Sequence, residues 1–338
     1  MKNNSVWFKN LLNKKTQLVD ELSKLYPISD IQPVETKSWN GIFKATGDHH
    51  KYCLKFVNDF TTNIPRSNSD LMFICEFMSF LGNQNFGFFL PLIPSSNGKL
   101  LNQILEYRVF VSPWIDDFTK NSLNEDEAQS TEIVKLGARL LAKFHNCSTE
   151  NKVINLTDRE LPHCYNPFLW KRNLDIIFNK AYKNFHQRRS SQDNLAELNK
   201  IYNFCQNFIQ NERDFFRNDL AKQIIIHGDF RPENIIGINS EYPKIFDFDV
   251  CHVNYPEVDV AYGALAFSGS RWFYGKRNWQ LIDLFVKTYN LSSQTGMNMN
   301  YFEKALIWVM LKNLSVSFKE EQLAPRIELL YDIQKNLG

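Results

Sequence analysis

The stretch HGDFRPENII, residues 227–236, places ionisable and amide side chains between two apolar runs. Together with the acids of KIFDFD downstream, the side chains that could do chemistry are His227, Asp229, Asn234, Asp247 and Asp249. An amide oxygen beside a carboxylate makes a good Mg²⁺ site, because this hard cation prefers oxygen ligands and shares its shell with substrate phosphates. A further Asp near the metal could accept a proton from a hydroxyl nucleophile. The joint pattern favours this chemistry over the alternative, a capped and salt-bridged turn.

Apolar runs on both sides of the stretch indicate how it is held. The isoleucines of III before it and II after it are typical of buried β-segments. Such segments would fix the loop between them and hold its polar groups in place. The sequence therefore predicts a rigid scaffold that presents a charged loop.

The elements around this loop change character along the chain. Residues 5–25 show helical spacing, and GIFKATGDHHKYCLKFV shows two alternating runs around a Thr-Gly-Asp turn. Ser69 is placed to cap a helix over residues 70–82, and LPLIPSSNGKLLNQILEYRVFVSPW predicts short strands separated by a Ser-Ser-Asn-Gly turn. Later segments are helical, namely an amphipathic helix over 125–147, two helices within 166–221 and most of 257–338. This change of character predicts two lobes joined near residues 112–114.

The charged loop resembles a known family. HGDFRPEN aligns position by position with the catalytic loop H-R-D-L-K-P-E-N of the protein kinase superfamily, and Asp247-Phe248-Asp249 stands where kinases carry D-F-G. From residue 30 onward the chain most resembles the small-molecule branch: aminoglycoside phosphotransferases, choline kinases, homoserine kinases and N-acetylhexosamine kinases. The resemblance implies an α+β, bilobal protein-kinase-like fold. Its nucleotide-binding lobe, residues 1–112, would hold an antiparallel sheet with one main helix, and its mostly helical lobe, residues 113–338, would hold the catalytic loop and acceptor site.

Three features favour the small-molecule branch over the protein kinases. Asp249 replaces the Gly of D-F-G, and only nine residues separate it from Asp259, too few for an activation segment. Asp259-Val-Ala-Tyr-Gly263 follows at once and resembles the kinase D-x-W-x-x-G segment that braces the catalytic loop. A peptide substrate needs a docking platform that this spacing leaves no room for, whereas a small hydroxyl compound does not.

The resemblance implies a role for each matching residue. Asp229 would be the catalytic base, His227 would hold the loop backbone, and Arg231 would steady the transferring phosphoryl group. The implied Mg²⁺ ligands are Asn234 and Asp247, with help from Asp249, and the structural support is Asp259. Phosphoryl transfer depends on positioning and charge neutralisation, so these groups suffice.

The nucleotide side of the family pattern is only partly present. Lys55 ends the second strand-like run, and Glu76 on the following helix has the order and separation of the kinase Lys–Glu ion pair; a solvated strand-end Lys is the alternative. No G-x-G-x-x-G occurs, which leaves Trp39, Asn40 and Gly41 as phosphate-loop candidates. The hinge for the adenine is expected at Val111 to Ile115, which includes Ser112 and Trp114.

Two aromatic and basic stretches are candidates for the acceptor site. They are YNPFLWKRN, residues 165–173, and SRWFYGKRNW, residues 270–279, and the residues nominated are Trp170, Arg271, Trp272 and Tyr274. A polycation such as an aminoglycoside calls for an acidic pocket, so local basic charge favours a neutral or anionic acceptor, such as a sugar or an amino-acid alcohol. The alternative is that both stretches are helix edges with packed aromatics.

Composition narrows the partners and the compartment. The formal net charge is +2 with no basic tail, so nucleic acid is not an expected partner. The longest apolar run is too short to span a bilayer, and the N-terminus lacks the apolar core of a signal peptide. Six scattered Cys without a C-x-x-C pair fit a reducing compartment. We therefore expect a cytoplasmic protein that binds a nucleotide and a small molecule.

The leading hypothesis is an ATP- and Mg²⁺-dependent enzyme that moves the γ-phosphate to a small-molecule hydroxyl. An atypical protein kinase is the second hypothesis, and labelling of a protein extract would favour it. A non-catalytic nucleotide-binding module is the third, although such a module would not need Lys55, Asp229, Asn234 and Asp247 together.

Overall fold

The first third of the chain folds around a five-stranded sheet in the computed structural model. The strands are β1 (Asp30–Pro33), β2 (Gly41–Thr46), β3 (Lys51–Phe56), β4 (Leu101–Ile104) and β5 (Tyr107–Pro113). Their order is β1-β2-β3-β5-β4, and every neighbouring pair is antiparallel. The predicted Thr-Gly-Asp turn joins β2 to β3, where Gly47 N donates to His50 O at 2.9 Å.

The residues described are 6–35, 40–58, 67–116, 129–149, 174–176, 178–179, 192–212, 223–238, 241–269, 273, 276–315 and 323–337. The chain divides into two compact units. The first unit comprises Met1–Asn121 and Lys244–Asp249, and the second comprises Ser122–Pro243 and Val250–Gly338. The expected lobe boundary near residues 112–114 stays a prediction.

Three helices pack in the described part of the first unit: α1 (Val6–Asn13), α2 (Lys15–Ser23) and α3 (Asn68–Asn83). The single helix expected over residues 5–25 is thus two helices, which meet at Lys14. Their apolar faces join the core of the sheet, where Phe8 and Leu18 lie in one buried cluster with Phe43.

Helix α3 begins two residues earlier than expected. Ser67 is its N-cap, because Ser67 Oγ accepts from Asp70 N at 3.1 Å and Asp70 Oδ2 accepts from Ser67 N at 3.3 Å. The prediction of Ser69 as the cap was wrong, since Ser69 already lies inside the helix. The predicted buried face of the helix is confirmed; it comprises Leu71, Ile74, Cys75, Met78 and Leu81.

The two strands before the expected hinge are joined differently from the prediction. A turn at Leu105 and Glu106 connects β4 to β5, and Leu105 has a φ of 55°. The Ser-Ser-Asn-Gly turn forms earlier, before β4, where Gly98 N donates to Ser95 O at 2.8 Å. The described residues between α3 and that turn form no strand. Phe89 makes a single β-bridge there, with Ile245 of β8 (Lys244–Ile245).

The described part of the second unit is mostly helical. Its helices are α4 (Thr131–Thr149), α5 (Gln192–Glu212), α6 (Pro256–Phe267), α7 (Trp279–Ser292), α8 (Met299–Ser315) and α9 (Leu323–Leu337). Its strands are β6 (Ile224–Ile226), β7 (Ile235–Ile236) and β9 (His252–Asn254), of which β6 and β9 pair antiparallel. None of the helices described is long and apolar enough to cross a membrane.

Helix α6 lies in the middle of this unit, in contact with α4, α7 and α8. Its residues from Glu257 to Phe267 are all buried. Gly137 of α4 permits the close approach, because a Cβ there would lie 2.5 Å from the Phe267 ring. The charged loop, which follows β6, therefore lies beside a helix that is held on several sides.

Candidate active site

The backbone of the charged loop is held by one carboxylate. Asp259, which is fully buried on α6, accepts from His227 N at 2.6 Å and from Gly228 N at 2.7 Å. Burial pushes the pKa of the Asp259 carboxyl upward, but the hydrogen bonds that it accepts from His145 and from Gly228 N hold it below its ordinary value. Asp259 thus remains an anion and fixes the start of the loop.

Two further residues define the path of this loop. Gly228 has a φ of +77°, and a Cβ there would lie 2.5 Å from Val250 O, so a side chain would be excluded. The imidazole of His227 is fully buried, and its Nδ1 accepts from Asp229 N at 3.3 Å. The position expected to hold the loop backbone therefore contacts it directly.

The Asp229 side chain is held at both oxygens. The hydroxyl of Tyr262 donates to Oδ1, and Asn234 Nδ2 donates to Oδ2 at 3.1 Å. Arg231 lies 3.3 Å from the same Oδ2. Burial raises the pKa of Asp229, but the cations Arg231 and Lys312 and the Tyr262 hydrogen bond bring it below its ordinary value. The carboxylate is therefore charged at neutral pH, as a base must be.

Asn234 is positioned by a short 3-10 turn, Pro232–Asn234, which begins with proline. Its side chain is buried, and Nδ2 donates to the Asp229 carbonyl oxygen at 2.8 Å as well as to the carboxylate. Because the amide nitrogen makes both of these hydrogen bonds, the amide oxygen is the atom of Asn234 that could bind a cation.

A second cluster lies in the first unit around Lys55. Its Nζ contacts Asp247 Oδ1 at 2.5 Å and Asp249 Oδ1 at 2.6 Å. Burial lowers the pKa of Lys55, but the charges of the two carboxylates outweigh that effect and raise it. Asp247 has a φ of 65°, a strained conformation for a residue with a side chain, which is typical of functional sites.

The expected partner of Lys55 is not in this cluster. Glu76 lies on the exposed face of α3 and makes no ion pair with a described residue. The predicted Lys55–Glu76 pair is thus replaced in this structure by pairs with the two acids of the KIFDFD segment.

Asn40 and Gly41 differ in what they contact. Asn40 Nδ2 donates to Asp249 Oδ2 at 2.9 Å, and its Oδ1 accepts from Asn58 N at 3.1 Å. A Cβ on Gly41 would lie 2.7 Å from Leu11 Cδ2, so the packing of α1 against this position is sufficient to explain the glycine. Trp39 falls outside the described residues.

The expected hinge is the end of β5. Ser112 is paired with Cys53 of β3, and Trp114 N donates to Lys51 O at 3.0 Å. The Lys44 ammonium lies 5.0 Å from the Trp114 ring centroid, within cation–π range. These contacts fix the backbone at the position where the resemblance expects the adenine.

The nominated acceptor residues, Trp170, Arg271, Trp272 and Tyr274, all lie outside the described residues. Two neighbours of theirs are described and were not nominated. Phe273 is buried, with its ring centroid 4.9 Å from that of Tyr262, and the buried Arg277 lies 5.6 Å from the Phe273 ring centroid. The second aromatic and basic stretch thus contacts the tyrosine that binds Asp229.

Sequence comparison identifies the family. A profile described as "Phosphotransferase enzyme family" (APH) matches residues 31–283, which is most of the chain. The chain therefore belongs to the phosphotransferase enzyme family, which confirms the predicted family and the predicted enzyme class, a small-molecule kinase. No match is found among curated proteins.

Structural comparison identifies the fold. Spectinomycin phosphotransferase, APH(9)-Ia, solved with ADP and spectinomycin, is 16% identical with a TM-score of 0.59, over 96% of this chain and 94% of that one. Amicoumacin kinase hAmiN, solved with AMP-PNP and Ca²⁺, is 12% identical with a TM-score of 0.64 over 97% and 95%. Choline kinase LicA from Streptococcus pneumoniae is 15% identical with a TM-score of 0.59 over 97% and 98%. The predicted α+β, kinase-like fold is confirmed.

Proposed function

We propose that this phosphotransferase uses ATP and Mg²⁺ and transfers the γ-phosphate to a hydroxyl of a neutral or anionic small molecule. The observation that carries the proposal is the state of Asp229. Its carboxylate is charged, and both of its oxygens are held by donors from the same unit. A fixed anion of this kind is the group needed to accept the proton of an attacking hydroxyl.

The second cluster supports binding of a nucleotide with its metal. Asp247 and Asp249 offer carboxylate oxygens, and Asn234 offers an amide oxygen, which are donors that Mg²⁺ prefers. Within the described residues no three His, Cys, Asp or Glu side chains cluster as a metal site. Mg²⁺ takes one or two protein carboxylates and completes its shell with phosphate and water. When bound, the ion would neutralise phosphate charge.

Lys55 would complete the nucleotide site. Its ammonium is held between Asp247 and Asp249, so its position is fixed before any nucleotide arrives. In the transfer that we propose, Lys55 binds phosphate oxygens and Arg231 steadies the transferring group. Nucleotides in the solved relatives, ADP in one and AMP-PNP in another, support a nucleotide as the donor.

Local charge supports the proposed acceptor class. Arg231 and Lys312 both act electrostatically on Asp229, and the acidic neighbour Glu233 lies 4.0 Å from Arg231. A polycationic acceptor would meet these cations at the base, whereas a neutral or anionic one would not be repelled. Acceptors named for the solved relatives, spectinomycin and choline among them, differ widely, so the fold alone does not select one.

The test is a transfer assay with the protein, Mg²⁺ and either ATP or GTP. Three acceptor groups are compared: neutral sugars, hydroxyl compounds with a carboxylate, and aminoglycosides. Mass spectrometry detects any compound that gains one phosphoryl group, and Asp229→Asn is the matched control. We expect transfer from ATP to a member of the first two groups and a loss of about 10²- to 10⁴-fold in the control. Efficient transfer to aminoglycosides at low concentration would overturn the acceptor class, and equal turnover by Asp229→Asn would overturn the base.

A further inference from the structure

The hydroxyl of Tyr262 donates to Oδ1 of Asp229, the carboxylate that we propose as the base. Tyr262 lies on α6 three residues after Asp259, and residues at this spacing share one side of a helix. The same helical turn thus contacts the loop twice. Asp259 holds the loop backbone, and Tyr262 holds the Asp229 side chain.

The Tyr262 ring is fixed by its surroundings. Its exposed fraction is 2%. The Phe273 ring packs against it edge to face with a centroid separation of 4.9 Å, and the Lys312 ammonium lies 4.7 Å from its centroid. Phe273 adopts a φ of 59°, a conformation that costs energy for a non-glycine residue and persists only where packing enforces it. The hydroxyl of Tyr262 therefore has little freedom to turn away from Asp229.

Tyr262 acts as a hydrogen-bond donor to Asp229 in this arrangement. Burial, followed by the charge of Asp229, raises the pKa of its phenol well above the ordinary value. The phenol consequently keeps its proton throughout the neutral range. Since Asn234 and Arg231 contact Oδ2, the hydrogen bond from Tyr262 is what fixes the other oxygen.

We propose that Tyr262 is a positioning residue for phosphoryl transfer, whose hydroxyl holds the Asp229 carboxylate in the orientation that accepts the acceptor's proton. This inference rests on the proposed function. In the step, the acceptor oxygen bonds to the γ-phosphorus as the bond from that phosphorus to the bridging oxygen breaks, which releases ADP. The proton of the acceptor hydroxyl moves to Asp229, and Tyr262 keeps its own proton. Misorientation of a positioned group is enough to slow such a step about 10²-fold.

The matched pair of variants is Tyr262→Phe and Tyr26→Phe. Each removes one buried hydroxyl that is in a hydrogen bond; that of Tyr26 accepts from Asn102 Nδ2 at 2.8 Å in the first unit, and neither Tyr26 nor Asn102 is assigned a role in catalysis. We expect Tyr262→Phe to lower kcat about 10- to 100-fold with an unchanged KM for nucleotide. Tyr26→Phe should retain wild-type kcat, and thermal denaturation compares the stability of the two.

A double-mutant cycle separates positioning from a structural role. If Tyr262 acts through Asp229, adding Tyr262→Phe to Asp229→Asn should leave the residual rate of Asp229→Asn unchanged. A radiolabelled nucleotide makes that residual rate measurable. An unchanged kcat in Tyr262→Phe, or a loss of the same factor in both backgrounds, overturns the proposal.

Replacement of Tyr262 by 4-aminophenylalanine restores a donor at the same place and keeps the test valid should the Phe variant fold poorly. We expect it to recover most of the wild-type kcat; failure to do so in a folded protein counts against the hydrogen bond. An inactive wild type would instead refute the proposed function, which distinguishes the two failures.

Discussion

The Asp259 carboxylate lies 2.6 Å from the backbone nitrogen of His227 and also accepts the neighbouring Gly228 N–H. Two buried backbone donors of the loop therefore depend on one side chain. Buried donors of this kind are costly to leave unsatisfied, and a charged acceptor makes each bond stronger than a neutral one would. The Asp259 carboxylate therefore stabilises the loop that carries Asp229.

Replacing Asp259 should destabilise the protein. In Asp259→Asn the amide keeps one acceptor oxygen and places an NH₂ group where a backbone donor already points, so we expect a loss of about 2–4 kcal/mol in the free energy of unfolding. Urea denaturation at neutral pH measures it. The control is Asp283→Asn on the exposed face of α7, where the change should stay within about 0.5 kcal/mol. Equal effects of the two substitutions would contradict the bracing role.

The same carboxylate should make stability depend on acidity. The folded-state pKa of Asp259 is below its ordinary value, so its contribution is fully present above the unfolded-state pKa of about 3.9. The contribution is lost as the pH falls from there through the folded-state pKa. Urea titrations at a series of pH values below 6 should therefore show a steeper fall in stability for the wild type than for Asp259→Asn. Parallel curves would show that Asp259 is not the group responsible.

The sequence alone predicted the features that depend on residues lying close together in the chain. The order from His227 to Asn234 places four candidate site residues in one loop, and the loop's contact with Asp259 follows from the segment that resembles D-x-W-x-x-G. The buried face of α3 follows from helical periodicity. In these cases the pattern and the contact lie within one element or match a known motif.

Contacts between distant elements were harder to predict. Helical spacing shows that Glu76 lies on α3, but not that its side is exposed while Lys55 pairs with Asp247. Tyr262 was missed for a different reason. Because α6 is buried along nearly its whole length, it has no polar face against which one functional hydroxyl would stand out. The one sequence feature that could have indicated a role for Tyr262 is its position three residues after Asp259.

Removal of the Lys55 charge should impair nucleotide use. In Lys55→Met the carboxylates of Asp247 and Asp249 lose their shared cation, so kcat/KM for nucleotide should fall at least about 10²-fold. Lys51→Met, on the same strand, is the control, because the exposed Lys51–Asp116 pair should contribute little to stability or turnover. A similar loss in both variants would indicate damage to the strand rather than to a nucleotide site.

The Glu76→Gln variant tests whether Lys55 stays paired with Asp247 and Asp249 during turnover. Since Glu76 is exposed and Lys55 pairs with two other acids, we expect kcat/KM to change by less than about twofold, in the range of other surface substitutions. A loss comparable to that of Lys55→Met would mean that Lys55 exchanges partners when nucleotide binds. Steady-state kinetics at varied nucleotide concentration distinguishes the two results.

Asp247→Ala should weaken binding of the metal–nucleotide complex itself. Asp247 would supply one of the few protein oxygens to the ion, so its loss should raise the Kd for Mg²⁺–nucleotide about 10-fold or more. Affinity for nucleotide measured without Mg²⁺, in the presence of a chelator, should rise or stay the same, because the variant has one fewer carboxylate near the phosphates. Isothermal titration calorimetry with and without Mg²⁺ gives both constants. If Asp247→Ala binds Mg²⁺–nucleotide as tightly as the wild type, Asp247 is not a metal ligand, and its contact with Lys55 would be the whole of its role.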